Sequence, residues 1–487
     1  MEKKKQGASF STDVVAGNIF RHLLRDFRCT EGEKFALSAS RAFDAGPQAF
    51  RDYTFPELGF ISPARFKRWK QLSGLFKKYR FEHDAFTDDE LYLKTLEKFF
   101  QEQQRISVSP AITTVTFKVL QKARVIAKGI LGKYNPEATL LNARFGKKSS
   151  IGCPLSLAYI DHKLTDVRAF TGSKECSKWF QTELLPGDPL LSEILSGVLA
   201  SIPDLEHDTL SLVLVPKSWK VLRPITPLTL LSLYYSYGVG EQVTSCLSDN
   251  GLDISRLQAR HGKMVKGMSL TRNCATADLK SASDSLTSEL LNRVLPREWY
   301  CAIAKTFSHQ LVVDGKSYYT ASVLPMGNGL TFPIETLVFY CILRAIAELS
   351  GIRGVISVYG DDLIYPSRLH KFVSRIFPRI GLVLNMDKTF VKAHFRESCG
   401  SDFYHGIDVR PFTLGGEYQK LSRSNYCTYL YKAINGLRRR WSDHEIPTTL
   451  RWLLSELAYT SGTILRVPPS FPDTAGVKIH HHEDVIL

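Results

Sequence analysis

The spacing of apolar residues changes along the chain, and the change marks out its elements. Near the start Val15, Ile19, Phe20, Leu23, Leu24 and Phe27 recur at helical intervals, and Leu93, Leu96, Phe99 and Phe100 do the same. A period near 3.6 puts such side chains on one face, so the spacing predicts amphipathic helices whose apolar face lines a core or docks a partner. From Asn273 onward the elements shorten and alternate. "CATADL" reads as a short strand, and "SDSLTSELLNRVL" as a helix with Leu286, Leu290, Leu291 and Val294 on one face and Pro296 closing it. "QLVVDGKSYYTA" reads as a hairpin turning at Asp314-Gly315, the pair that suits a tight turn. Its Gly-Lys-Ser imitates a phosphate-binding loop, but Gln310 stands where that pattern requires glycine. "MGNGLTFPIETLVFYCILRAIAEL" is a glycine-flanked loop leading into a long helix, and "GVISVYGDDLIYP" is a second hairpin. A helical "SRLHKFVSRIF" and a strand-like "GLVLNMDKTFV" follow. This order predicts an α+β sheet domain with helices behind it.

At 487 residues the chain exceeds what one core usually organises, so two or three lobes are expected. No internal repeat and no low-complexity linker separates them. Sixty-three Lys and Arg against 48 Asp and Glu give a net charge of +15, a balance that favours polyanions such as nucleic acid, with a merely basic enzyme as the alternative. The nine cysteines are scattered with no Cys-x-x-Cys pair, which argues for reduced thiols and against a zinc site. The start, "MEKKKQGASF", has no apolar run behind its lysines, so no signal peptide is expected. The longest apolar stretch is broken by Arg344 and too short to span a bilayer, so a cytosolic protein without membrane contact is expected.

The hairpin in "SVYGDDLIYP" sets Asp361 and Asp362 side by side between apolar strands, with Gly360 supplying the turn. Taken alone, the pair is most simply a solvated turn. On a rigid, partly buried tip, however, two carboxylates repel and lose hydration unless a cation neutralises them. Asp278 ends the separate strand "CATAD" and joins them if the strands are neighbours. Three convergent carboxylates suit Mg²⁺, and two such ions about 3.5 to 4 Å apart support in-line phosphoryl displacement.

Four blocks in order carry a closer likeness: "DLKSASDS" (Asp278 to Ser285), "MGNGLTF" (Met326 to Phe332), "YGDD" (Tyr359 to Asp362), and "FRESCG" (Phe395 to Gly400) followed by "DVRPF" (Asp408 to Phe412). Over roughly Leu214 to Phe412 the chain resembles the RNA-dependent RNA polymerase, or replicase catalytic subunit, of small positive-strand RNA bacteriophages, the levivirus family. The resemblance implies a right-hand polymerase. Residues 271–412 would be a palm with an antiparallel sheet backed by helices, 101–270 fingers, 413–487 a mainly helical thumb with a tail, and 1–100 a helical region bridging fingers and thumb.

It also implies roles. Asp278 and Asp361 are the main ligands of two Mg²⁺ ions, with Asp362 assisting. Asp284, with Asn328, senses the ribose 2′ hydroxyl, unless Ser283 and Asp284 merely cap a helix. Gly327 and Gly329 let the backbone around Asn328 approach a base pair or sugar, although Pro325 and Pro333 depart from the family pattern there. Lys217, Lys220 and Arg223, in "VPKSWKVLRPITP", neutralise the incoming triphosphate or form a solvated basic face. Lys388 protonates departing pyrophosphate. "FRESCG" supports the primer end, with Cys399 a packed small residue rather than a nucleophile. "GLRRRW", Arg438 to Trp441, is either an RNA grip with one stacking ring or plain surface charge. The His480 to His482 triplet is too short for a metal site.

The expected function is therefore template-directed RNA synthesis in the cytoplasm of an infected bacterial host, on an RNA template with ribonucleoside triphosphates. The resemblance adds host elongation factors Tu and Ts and a ribosomal RNA-binding protein as partners, and primer-independent initiation. Two alternatives stand beside it: a reverse transcriptase, which shares paired aspartates but guards the sugar position with a bulky ring, and a basic RNA-binding protein whose acids are structural.

Overall fold

The computed structural model describes residues 9–28, 34–53, 62–84, 86–146, 149–151, 153, 155–165, 171–199 and 209–479. Cys29 and the His480 to His482 triplet lie outside the described residues. The chain forms two units that interleave in sequence: Met1–Tyr92, Pro216–Leu222 and Ile407–Leu487 in one, Leu93–Val215 and Arg223–Gly406 in the other. Both helix and strand are abundant. Among the described residues no helix is long and apolar enough to cross a membrane, and the eight described cysteines are free thiols.

In the first unit the apolar stripe of the helix Thr12–Arg28 is core: Val15, Ile19, Phe20, Leu23 and Phe27 are buried with Leu430, Ile434 and Leu453 from the helices Arg423–Arg438 and Pro447–Ser461. Asp26, near the end of the first of these, caps the last. Its carboxylate accepts from the N–H groups of Thr448 (2.9 Å) and Thr449 (3.0 Å), which Ile446 has no side-chain acceptor to serve. Phe10–Ser11 pairs antiparallel with Lys420–Leu421, and Lys78–Arg80 pairs parallel with Gly415–Glu417, so distant stretches of chain are knitted together. The short stretch Pro216–Leu222 belongs here through Trp219, whose ring lies 4.1 Å from the Arg51 guanidinium, itself paired with buried Asp84.

The expected RNA grip at "GLRRRW" meets a correction in this unit. Trp441 is 4% exposed, and its indole N–H is donated to Gln71 Oε1 at 3.0 Å. Arg438, Arg439 and Arg440 pair with Asp443, Asp473 and Asp408. The ring offered for stacking is inside the core of this unit.

The second unit contains α1 (Thr114–Leu131), β1 (Thr209–Ser211), α2 (Leu230–Asp249), α3 (Ile254–Thr271), β2 (Cys274–Ala277), β3 (Leu279–Lys280), α4 (Ser288–Val294), β4 (Gln310–Val313), β5 (Lys316–Tyr319), α5 (Thr331–Leu349), β6 (Ser357–Tyr359), β7 (Asp362–Pro366), α6 (His370–Ile376), β8 (Val383–Leu384), β9 (Phe395–Ser398) and β10 (Ser401–Tyr404). A sheet of order β6-β7-β2 is antiparallel throughout, with Tyr359 opposite Asp362 and Leu363 opposite Ala277. Behind it α5 is buried over most of its length, its Arg344 and Glu348 pairing at the more exposed C-terminal end, and it packs on α1 and α2. Pro333 occupies its first turn, where no N–H is needed.

Smaller pairings complete the unit. β3 pairs with β8, β9 with β10, and β1 runs parallel to β4. β4 and β5 turn at Asp314 and Gly315, with φ of +50° and +75°, the two left-handed positions a type I′ turn requires. Arg396 on β9 is fully buried yet satisfied, since its guanidinium donates to the carbonyls of Cys274 and Val391, each at 2.8 Å, and so fastens β9 to β2, the strand just before Asp278. The helix expected over "SDSLTSELLNRVL" begins only at Ser288. Thr287 is its N-cap, accepting from Leu290 N–H at 3.2 Å, while Ser281 takes a left-handed φ of +46° in the preceding turn. Asp284 is therefore not a helix cap.

Candidate active site

The β6–β7 turn is Gly360-Asp361, and α5 holds it. Gly360 has φ +59°, its N–H donates to Thr336 Oγ1 at 2.9 Å, and a Cβ there would lie 2.4 Å from Phe332 Cε2. Only glycine meets both the conformation and the space. The Phe332 ring also meets Tyr359 edge-on, with centroids 4.6 Å apart. On the other side of β7, Ala277 faces Leu363, so the next residue, Asp278, comes alongside Asp362. Sheet register thus brings together acids that are about eighty positions apart in sequence.

Each acid has a fixed partner or neighbour. Lys388 Nζ donates to Asp278 Oδ2 at 2.7 Å, and Asn385 N–H donates to the Asp278 carbonyl at 2.8 Å. Asp362 Oδ2 accepts the backbone N–H of Cys399 at 3.1 Å. That donor is aimed by the β9–β10 turn, where Cys399 and Gly400 have φ of +52° and +70°. Burial, then repulsion from Asp361 and Asp278, pushes Asp362 up to about 7, against the opposing pull of the Cys399 N–H and Lys388. Burial works against the Lys388 charge, but the bond to Asp278 and the fields of Asp278, Glu397 and Asp361 outweigh it and hold the ammonium above its ordinary value.

An all-oxygen donor set with this much mutual repulsion fits a hard divalent cation. Among the described residues no three His, Cys, Asp or Glu side chains are gathered as a ready-made metal cage. Asp278 instead rests on the Lys388 ammonium, which supplies part of the positive charge the acids require.

A fourth and a fifth acid couple to this group. Asp284 is pushed up to about 6 by burial and by Glu102, with Arg105 opposing. Glu335, on α5 and 7% exposed, is raised well above the ordinary carboxylate range by burial and by the charges of Asp361 and Asp284. Sequence reasoning missed Glu335. Its one signal is a lone acid inside the apolar run of α5, a place where an unpaired charge costs free energy.

The other expected residues fall as follows. Asn328 is buried, its Oδ1 accepting Leu330 N–H at 2.9 Å and its Nδ2 donating to Thr306 Oγ1 at 3.4 Å. Gly327, at φ +124°, has the Thr226 carbonyl 2.8 Å from where a Cβ would sit, so the loop lies directly on that backbone. Lys217, Lys220 and Arg223 are all exposed. The first two belong to the first unit, and Arg223 to the second with the acids.

A family model described as RNA replicase, beta-chain, matches residues 101–445 of this chain. The chain belongs to the RNA replicase beta-chain family. The RNA-directed RNA polymerase beta chain of Escherichia phage MS2 is 37% identical over 200 residues, which are 41% of this chain and 36% of that protein. The corresponding beta subunit of Escherichia virus Qbeta is 34% identical over 204 residues, 42% of this chain and 34% of that protein. The chain thus matches little more than a third of the length of these curated relatives. Among solved structures, the RNA-dependent RNA polymerase of a human picorbirnavirus is 14% identical, with a TM-score of 0.44 over 76% of this chain and 78% of that one. Every acid of the site, and Lys388, lies inside the stretch matched by the replicase beta-chain family.

Proposed function

We propose that this replicase beta-chain is an RNA-directed RNA polymerase that copies phage RNA by nucleotidyl transfer at Asp278, Asp361 and Asp362. The observation that carries the reading is the register that sets Asp278 beside Asp362 on a hairpin tip locked by α5. Asp278, Asp361 and Asp362 would hold Mg²⁺, which when bound would supply Lewis-acid polarisation of the attacking 3′ hydroxyl and of the departing oxygen. Asp278 and Asp361 are the principal holders, and Asp362 assists, oriented by the Cys399 N–H. Lys388, kept protonated beside Asp278, has a proton to give to pyrophosphate.

Ribose is read by Asp284 with Asn328, whose existing bonds to Leu330 and Thr306 hold its amide in one orientation. A site built to bond a 2′ hydroxyl rejects a deoxy sugar because its polar groups are then left unpaired. Lys217, Lys220 and Arg223 neutralise the triphosphate, and Gly327 admits the backbone close to the pair. In this reading residues 271–412 are the palm, 101–270 the fingers, 413–487 the thumb and 1–100 the bridge between fingers and thumb. RNA template and ribonucleoside triphosphates are the substrates, the infected bacterial cytoplasm is the setting, and elongation factors Tu and Ts with a ribosomal RNA-binding protein are the partners carried over from the family.

The test is Asp361→Asn in the full chain. Ribonucleotide incorporation on an RNA template is expected to fall to background while RNA binding persists. Undiminished synthesis by this variant removes the activity from this site, and a preference for deoxyribonucleotides by the unaltered protein favours a reverse transcriptase.

A further inference from the structure

His261 stands in the middle of α3, fully buried, with both ring nitrogens engaged. Nδ1 shares a hydrogen bond of 2.8 Å with Ser398 Oγ and lies 3.4 Å from Cys399 Sγ, and Nε2 shares one of 2.8 Å with Ser357 Oγ. Ser357 opens β6 of the aspartate hairpin, whereas Ser398 closes β9, immediately before the residue whose N–H reaches Asp362. One ring therefore joins the two hairpins that meet at that carboxylate. The neighbouring residue supports the same junction: a Cβ on Gly262 would lie 2.9 Å from Ser401 Oγ, so α3 is pressed against the β9–β10 turn.

We propose that His261 is a positioning residue for nucleotidyl transfer, tying Ser357 to Ser398 so that the Cys399 N–H stays on Asp362 and fixes that acid within the site. The role rests on the polymerase reading given above. A neutral imidazole has one donor and one acceptor, and a serine hydroxyl serves as either, so both bonds are made in either tautomer. Burial, with Arg260 adding to it, keeps the ring neutral. Leucine fills similar space but leaves the Ser357 hydroxyl without its imidazole partner and Ser398 with only its long contact to Cys399 Sγ, and it severs the link. Cys399, in a left-handed conformation that a side chain resists, is then free to relax, and its N–H leaves the carboxylate.

The experiment uses the full chain and reads single ribonucleotide incorporation per titrated active site, together with KM, RNA binding and thermal unfolding. His261→Leu is expected to lower kcat by roughly tenfold or more, the scale on which loss of a supporting partner acts. KM for the nucleotide and RNA binding should stay within about twofold. Ser398→Ala is expected to lower kcat in the same direction, and adding it to His261→Leu should cost nothing further, because the link is already cut. A kcat for His261→Leu within about twofold of the unaltered protein, or losses that simply add, overturns the role and leaves His261 a packed core residue. Should His261→Leu fail to fold, the pair Ser357→Ala and Ser398→Ala decides: non-additive losses in kcat support the link, and additive or absent losses overturn it. An unaltered protein that incorporates nothing overturns the polymerase reading and this role together, an outcome distinct from an active protein indifferent to His261→Leu.

Discussion

Replacing Gly360 with alanine perturbs the aspartate hairpin at one atom. The residue is at φ +59°, where a side chain costs about 1–2 kcal/mol. The new Cβ would also lie 2.4 Å from Phe332 Cε2 and 3.0 Å from its Cδ2. Phe332 is a ring held edge-on by Tyr359, so it cannot swing away as the end of a lysine would, and overpacking of this kind costs ~1–3 kcal/mol. The sum, about 2–5 kcal/mol, is less than most domains can spare, so the variant should fold with a lower melting temperature. If the strain is relieved by moving the tip, Asp361 moves with it, and a displacement near 1 Å is worth roughly 10²-fold in rate. Circular dichroism melts with single-nucleotide incorporation measure both effects, and Gly360→Ala combined with Phe332→Leu should recover part of each. A Gly360→Ala protein indistinguishable from the original in melting and rate would refute the argument that α5 locks the turn.

Two further outcomes follow from the electrostatics. Asp362, Asp284 and Glu335 all hold protons more tightly in the fold than in an unfolded chain, so without divalent cation the stability these three acids contribute should fall as pH rises. For Asp362 the contribution is whole below its ordinary 3.8 and lost through about 7. In chelator, Asp362→Asn should therefore raise the melting temperature above that of the unaltered protein more at pH 8 than at pH 5, and Mg²⁺ should raise the unaltered protein's melting more at pH 8; differences that ignore pH would contradict the cluster. Lys388→Met removes the ammonium that occupies Asp278 and repels a second cation, so half-maximal rate should require less Mg²⁺, and loss of a general acid should lower kcat by about 10²–10⁴-fold. A shift in Mg²⁺ requirement with kcat intact would make Lys388 a counter-charge and not a proton donor.

Much of the second unit was legible because its signals are local. The alternation around Gly360-Asp361, the Asp314-Gly315 turn and the apolar run of α5 each specify an element without help from distant chain. The meeting of Asp278 with the hairpin was legible at one remove, from the motif order and the metal-site logic of three acids. What stayed hidden depends on partners far along the chain. His261 gains its meaning from Ser357 and Ser398, which lie 96 and 137 positions away. Glu335 is marked out only by the charges of Asp361 and Asp284, residues 26 and 51 positions away that act on it through the fold. Trp441 has the composition of a nucleic-acid contact but is enclosed by Gln71 and the helix packing around it. The start of α4 was misjudged because Ser283 and Asp284 have cap chemistry as good as that of Thr287, and the left-handed Ser281 diverts the chain first.

The central claim is that Asp278 and the Gly360 turn form one cation site serving nucleotide transfer. Crystals of the full chain grown with Mn²⁺, RNA and a non-reactive ribonucleotide test it most directly, since the metal is located by its anomalous scattering. The account predicts anomalous peaks within ligand distance of both Asp278 and Asp361, with Lys388 drawn off Asp278 toward the phosphates. Peaks elsewhere, or an Asp278 that keeps its bond to Lys388 while nucleotide binds away from the hairpin, would contradict it.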